Sequence, residues 1–330
     1  MGCLDDLTIT NLVGNALPEP ARSAALAHLD ECGACSELVA AMAVGSPRGD
    51  REAEHLAPGT EVGRYIVERV AGAGAMGVVY AARDPSLDRT VALKLVAATG
   101  DAHARDRMLR EARAMAQLSH RNVVTIFDVG THGDDVFLAM EFLPGRTLRQ
   151  WLAERTRTTR EIVRVLCEAG RGLAAAHDAG LVHRDIKPDN VLIADDGRVC
   201  ITDFGLARTA GGGPATERPE GSAPATALTA TGHLLGTPAY MAPEQLAGGA
   251  ADVRSDQFSF CIVAYECLAG RRPFDGTTIA ELRDAIAREP AAIPRAPKRL
   301  EHVIRRGLAT DPDRRFASMT ELIDALSRDP

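Results

Sequence analysis

An α+β fold is predicted by three observations along residues 60–120. A glycine-rich turn is flanked by strand-like apolar segments, a further apolar strand ends in a lone lysine, and a helical period follows. The turn is Val70-Ala71-Gly72-Ala73-Gly74-Ala75-Met76-Gly77. Gly72, Gly74 and Gly77 lack the Cβ that would keep backbone from bending tightly and approaching a phosphate. A dinucleotide-binding loop of this spacing opens into a helix, whereas Val78-Val79-Tyr80-Ala81-Ala82 favours a strand, so the turn joins two strands. Val91-Ala92-Leu93-Lys94 is the next strand, its lysine seventeen residues beyond Gly77. From Asp101 to Leu118 the chain reads as a helix in which Met108, Glu111, Ala112, Met115 and Leu118 recur at three- and four-residue steps. Glu111 therefore lies beside the buried stripe and needs a partner, either Lys94 or the helix's own Arg107 or Arg110.

The chemistry is carried further along the chain. His183-Arg184-Asp185-Ile186-Lys187-Pro188-Asp189-Asn190 is followed, thirteen residues after Asn190, by Asp203-Phe204-Gly205. Together these supply two carboxylates, an ammonium and a carboxamide, the groups that phosphoryl transfer requires. Asp185 is suited to accept the proton of an attacking hydroxyl, Lys187 to neutralise the moving phosphoryl, and Asn190 and Asp203 to hold Mg²⁺ through hard oxygens. In the same reading Lys94 binds the α and β phosphates and Glu111 orients its ammonium. A charge-rich surface loop is the bland alternative, but it does not explain two motifs in this order at this spacing.

With these motifs in place, the stretch from about Thr60 to Leu326 resembles a bacterial serine/threonine protein kinase of the eukaryotic-like, Hanks type. The resemblance implies a bilobal protein kinase fold, with an antiparallel β small lobe over residues 59–143 and a helical large lobe over 144–327. It implies ATP with Mg²⁺ or Mn²⁺ as cofactors, held under Gly72, Gly74 and Gly77, with the adenine between Val79, Ala92 and Leu192. Met140 resembles the gatekeeper and Glu141 to Leu143 the adenine-binding hinge. Asp256 resembles the helical carboxylate that steadies the catalytic loop, and Arg315 the partner of Glu244 in Ala242-Pro243-Glu244. Lys187, with Thr237 in Gly236-Thr237-Pro238-Ala239-Tyr240, resembles the serine/threonine class, so proteins with Ser or Thr hydroxyls are the implied substrates. Some members place a ribose-binding carboxylate where this chain has Thr147. Relatives autophosphorylate at the offset of Thr229 and Thr231, which implies modification there, with Arg184 receiving the phosphate and a homodimer allowing transfer in trans. Many relatives continue into a membrane anchor and an extracellular sensor; this chain stops at Pro330 and is expected to have neither. A pseudokinase scaffold is the competing class, but pseudokinases usually lose a counterpart of Lys94, Asp185 or Asp203, and all are present; a third reading, an anti-sigma-like binding protein with a kinase appended, is compatible with activity and bears on regulation only.

The 330 residues, 45% apolar with a net charge of −7, suit a large enzyme of two or three domains and argue against a nucleic-acid partner. The longest apolar candidate for a membrane span, Phe258 to Ala269, is short and is broken by Glu266, and the start carries no secretory signal, so a cytoplasmic location is expected. Of seven cysteines, Cys167, Cys200, Cys261 and Cys267 read as small buried apolar groups. The other three cluster near the start. His28 and Cys32 share one face of an Ala-rich helix, Cys32-Gly33-Ala34-Cys35 forms a chelating turn, and Cys3 completes a tetrahedral set suited to Zn²⁺. This pattern resembles the small zinc-binding domain of bacterial anti-sigma factors, which implies a helical module over 1–44 that binds a regulatory protein. A zinc-free hairpin and a dithiol switch stay open as alternatives. Residues 45–58 read as a linker, and the Gly-, Pro- and Ala-rich insertion 210–227 lengthens the segment before Thr229 with residues that cannot pack.

Overall fold

The computed structural model describes residues 56–74, 77–96, 102–205 and 237–328 apart from 277, 289 and 295, together with Ala25, His28 and Cys32. The expected module 1–44 and linker 45–58 fall almost wholly outside the described residues, as do the insertion 210–227 and Thr229 and Thr231.

Six antiparallel strands make the first lobe: β1 (Glu61–Val62), β2 (Tyr65–Gly74), β3 (Gly77–Asp84), β4 (Arg89–Val96), β5 (Ile126–His132) and β6 (Asp135–Glu141), in the order β1-β2-β3-β4-β6-β5. As expected, the glycine turn joins two strands, β2 and β3, whose register ends at Gly74 opposite Gly77. Alternation along β4 sends Val91 and Leu93 to one face, with Tyr65, Tyr80 and Phe137, and Ala92 and Val96 to the other. Lys94 shares the second face. Helix α1 (Ala102–Ala116) covers it, and the anticipated stripe is buried: Met108, Ala112 and Met115 pack with Val96, Val136 and Met140.

The second lobe begins with β7 (Gly145–Thr147), α2 (Leu148–Glu154) and α3 (Thr159–Asp178), then a small sheet in which β8 (Val191–Ala194) lies between β7 and β9 (Val199–Ile201). Helices α4 (Pro243–Leu246), α5 (Val253–Ala269), α6 (Ile279–Ile286), α7 (Lys298–Gly307) and α8 (Met319–Ser327) complete it. Every residue of α5 from Ser255 to Tyr265 is buried, which explains why apolar residues are not confined to one face of the helix. Asp252 caps its first turn and Gly270, at φ 71°, ends it. Cys167, Cys200, Cys261 and Cys267 are all buried, and desolvation pushes the Cys200 thiol up to about 11 and the Cys261 thiol up to about 12, which keeps them protonated. Among the described residues, no helix is long and apolar enough to cross a membrane.

Glu244 and Arg315 form the anticipated pair, with Nη1–Oε1 at 2.8 Å and Nη2–Oε2 at 2.9 Å. The guanidinium is wholly buried and also donates to the carbonyls of Ala309, Arg254 and Thr310. Burial alone would push the Glu244 carboxyl up, but hydrogen bonds from Arg315 and Ser255 outweigh it and hold the group below its ordinary 4.5.

This packing can be tested at two positions. A Cβ at Gly172, inside α3, would stand 2.3 Å from the carbonyl oxygen of Asn122, and that neighbour is backbone that cannot rotate away. Gly172→Ala is expected to cost about 1–3 kcal/mol although alanine favours helices, a balance measurable by urea unfolding. Arg315→Ala is expected to cost about 3 kcal/mol by leaving Glu244 uncompensated, near the lower end for a broken buried pair because Glu244 keeps 22% of its side chain exposed. Because the folded-state pKa of Glu244 lies below 4.5, the pair's contribution is present above pH 4.5 and is lost as pH falls through the lower folded value. Acid unfolding of Arg315→Ala should therefore lack that part of the wild-type pH dependence.

Candidate active site

Helix α5 delivers Asp256 beneath the loop 183–190. Its Oδ2 accepts the His183 N–H at 2.7 Å and its Oδ1 the Arg184 N–H at 2.8 Å, while His177 Nε2 stands 2.9 Å from Oδ2. Held this way, Arg184 adopts φ 67°, and Asp203 adopts φ 59°. Left-handed backbone at such residues costs about 1–3 kcal/mol and persists only where surrounding bonds over-determine it. The buried His183 ring lies against Phe204 with centroids 4.6 Å apart. Desolvation pushes its pKa below 6.5, so the ring is neutral: Nε2 donates to the Thr202 carbonyl at 2.9 Å and Nδ1 accepts the Asp185 N–H at 3.3 Å.

The residues expected to act on the phosphoryl group converge. Lys187 Nζ is 2.7 Å from Asp185 Oδ2, and Asn190 Nδ2 donates to the same oxygen at 3.0 Å and to the Asp185 carbonyl at 2.8 Å. The Asp185 side chain is wholly buried and that of Asp203 retains 24% exposure. Lys94, buried on β4 opposite Val79 of β3 and Leu138 of β6, places Nζ 2.8 Å from Asp203 Oδ1.

Here one expectation is corrected. The Lys94–Glu111 pair is not formed, nor does Glu111 turn to Arg107 or Arg110: its carboxylate lies 3.7 Å from Arg184 Nη1. Asp203 satisfies the buried ammonium at hydrogen-bond distance, while Glu111, 36% exposed, meets a cation that the resemblance reserves for a phosphate.

On the expected nucleotide side, Ala92, Leu143 and Leu192 pack against the cluster containing Met140, and Ala92 pairs directly with Met140 across β4 and β6. A cavity behind Met140 is lined by Lys94, Met115, Leu138, Asp203 and Phe204. A Cβ on Gly72 would meet open space, so packing does not require that glycine. The Glu141 carboxylate is tied to Arg198 and its N–H donates to the Thr125 carbonyl at 2.8 Å. Thr147 caps α2: its Oγ1 accepts the Gln150 N–H at 3.3 Å and the Gln150 side chain returns to the Thr147 N–H at 2.9 Å.

A second polar cluster was missed by sequence reasoning. Arg149 of α2 forks onto Asp189, with Nε 2.9 Å from Oδ1 and Nη2 2.8 Å from Oδ2. Its Nη2 also donates to Tyr240 Oη at 3.1 Å, and Nη1 lies 3.5 Å from Glu266 Oε1. Tyr240 Oη in turn donates to Glu266 Oε2 at 2.6 Å, and burial together with that bond pushes the phenol pKa up. The available signal was Glu266 itself, a carboxylate interrupting the largely apolar stretch Phe258 to Ala269.

Of the four expected zinc ligands, Cys3 and Cys35 lie outside the described residues. Cys32 N–H donates to the His28 carbonyl at 2.9 Å, as one helical turn requires, and His28 Nε2 is buried without a hydrogen-bond partner among the described residues. Among those residues no group of three or more His, Cys, Asp or Glu stands close enough to hold a metal.

Comparison with known proteins bears on the whole arrangement. Residues 65–325 match the protein kinase domain family. The serine/threonine-protein kinase PknL of Mycobacterium tuberculosis is 40% identical over 264 residues, covering 77% of this chain and 62% of that protein. The crystal structure of the PknI kinase domain of Mycobacterium tuberculosis aligns with a TM-score of 0.61 at 29% identity over 82% of this chain and 98% of that one. Rad53 residues 1–466 in complex with AMP-PNP align with a TM-score of 0.64 at 25% identity over 79% of this chain and 64% of that one. The chain thus spans about three fifths of the length of the mycobacterial relative it matches. With the bilobal fold and a family match over residues 65–325 in agreement, the chain belongs to the protein kinase family.

Proposed function

We propose that this chain is a serine/threonine protein kinase that transfers the γ-phosphoryl group of ATP, bound with Mg²⁺ or Mn²⁺, to Ser or Thr hydroxyls of proteins. The observation that carries the reading is the convergence of Asp185, Lys187 and Asn190 beside Lys94 and Asp203. The donor set fits a hard cation: Asn190 turns its Nδ2 to Asp185, which leaves its carboxamide oxygen for the metal, and Asp203 offers a part-exposed carboxylate. Bound nucleotide supplies the phosphoryl group. Gly72, Gly74 and Gly77 would cover it, Val79, Ala92, Met140, Glu141, Leu143 and Leu192 would line the adenine side, and Lys94 would hold the α and β phosphates. Asp185 would orient the acceptor hydroxyl and take its proton, with Lys187 neutralising the charge that moves. The relatives' names and the AMP-PNP in Rad53 support this reading.

Autophosphorylation of Thr229 and Thr231, in trans within a homodimer, would give Arg184 a phosphate in place of Glu111. The long 3.7 Å contact between Arg184 and Glu111 supports such an exchange, which would return Glu111 to Lys94. We also infer a Zn²⁺ site over residues 1–44, formed by Cys3, His28, Cys32 and Cys35 and serving a regulatory protein partner, with the whole chain in the cytoplasm. The orphaned Nε2 of His28, one turn from the Cys32 thiol, supports the metal.

Purified chain with Mg²⁺ and ATP should label itself on Thr229 or Thr231 by mass spectrometry, and Asp185→Asn and Lys94→Met should each lose about 10³-fold or more in rate. Wild-type labelling by Asp185→Asn would remove the assignment. For the metal, elemental analysis should find one Zn²⁺ per chain in the wild type and none in the Cys32→Ser, Cys35→Ser double variant. A metal-free wild type purified without chelator would leave these side chains with a purely structural role.

A further inference from the structure

The geometry points to Arg149 as a built-in occupant of a carboxylate subsite for the peptide substrate, so that the chain does not select basic residues beside the acceptor; this rests on the serine/threonine kinase reading above. Asp189 lies in the same short turn as Asn190, four residues beyond Asp185, on the loop that must face an acceptor hydroxyl. Tyr240 ends the segment Thr237–Tyr240, and its hydroxyl meets Glu266 on the last turn of α5. Asp189, 42% exposed, opens this cluster to solvent four residues from Asp185, so side chains flanking a Ser or Thr presented to Asp185 would come within reach of it.

Two carboxylates and a phenol in one place would capture a cation. Here the molecule supplies it. Arg149 offers Asp189 the bidentate fork that a peptide arginine would offer, reaches toward the less exposed Glu266, and shares the hydroxyl of Tyr240. Its side chain is 47% exposed, so it lies at the mouth of the cluster and is not locked in the core. Helix α2 is anchored separately by the buried Leu148 and Trp151 and by the Thr147 cap, so its fold does not depend on this guanidinium. A basic peptide residue gains nothing here while Arg149 is in place, because it must first displace an equivalent cation. With Arg149 gone, Asp189 and Glu266 face the peptide uncompensated, and arginine becomes the preferred neighbour.

The test is a library of Ser/Thr peptides carrying Arg, Ala or Glu at each flanking position in turn, phosphorylated by full-length wild type, Arg149→Ala, Arg149→Gln, Arg149→Lys and the triple variant Arg149→Ala, Asp189→Asn, Glu266→Gln. Wild type and Arg149→Lys should treat Arg and Ala alike at every position. Arg149→Ala should gain about tenfold in kcat/KM for Arg at one flanking position, chiefly through KM, and the triple variant should lose that gain. Arg149→Gln keeps the stem that packs along α2 and carries the same expectation if thermal unfolding shows Arg149→Ala to be loosened. The inference is overturned if wild type already prefers Arg at that position by the same factor, or if neither charge-removing variant changes preference, which would make Arg149 only a brace between α2 and the catalytic loop. A wild type that labels neither itself nor any peptide overturns the kinase reading and the subsite with it, an outcome distinct from an active enzyme whose preferences do not move.

Discussion

The loop 183–190 depends on one buried carboxylate. Asp256 stands in the first turn of a helix packed on every side, so it cannot drift, and both its oxygens receive backbone N–H groups from consecutive residues, His183 and Arg184. Losing that acceptor would orphan two donors at about 1–3 kcal/mol each, a cost large enough to exceed the strain it sustains at Arg184. The constraint then propagates. The fixed His183 ring accepts from Asp185 on one side and donates to Thr202 on the other, so the two strand-loop segments that carry Asp185 and Asp203 are registered through one neutral imidazole.

Above that frame the cleft is a set of charges whose partners differ in how easily they exchange. Lys94 and Asp203 meet at 2.8 Å with 9% and 24% of their side chains exposed, a close pair largely withdrawn from water. Glu111 and Arg184 meet at 3.7 Å with about a third of each exposed, and contacts of that kind contribute about 0–1 kcal/mol. The energetic difference means that a competing anion at Arg184 would meet little resistance from Glu111, whereas moving Lys94 off Asp203 requires a replacement carboxylate or phosphate. Helix α1 is thus firmly held through Met108, Ala112 and Met115 and only weakly through the Glu111 side chain.

What could be read from the sequence was whatever is encoded by local period or motif spacing. The β2–β3 hairpin, the buried stripe of α1 and the four buried cysteines belong to this class, whereas the Glu244–Arg315 pair, 71 residues apart, was expected only from the family resemblance. The partner of Glu111 did not, because spacing lists the cations within reach but the fold makes the choice, bringing Asp203 to Lys94 and Arg184 to Glu111. The Arg149 cluster was hidden for a different reason: its members at 149, 189, 240 and 266 come from four separate elements, and only the fold brings them together. Thr147 is an instructive middle case. Its capping box with Gln150 is written in Thr147-Leu148-Arg149-Gln150, yet its position at the expected ribose site drew the reading toward a missing carboxylate.

That threonine links the two sides of the cleft. A helix of seven residues has little intrinsic stability, and α2 relies on its cap and on the burial of Leu148 and Trp151 to hold its first turn. The first turn is also what carries Arg149 to Asp189. A carboxylate at 147 could cap the helix as well, but it would add a negative charge two residues from a guanidinium already balanced against Asp189 and Glu266. With a neutral cap, the fork of Arg149 remains directed at the loop. The residue type at 147 therefore bears on the charge balance around Arg149 as much as on the cap of α2.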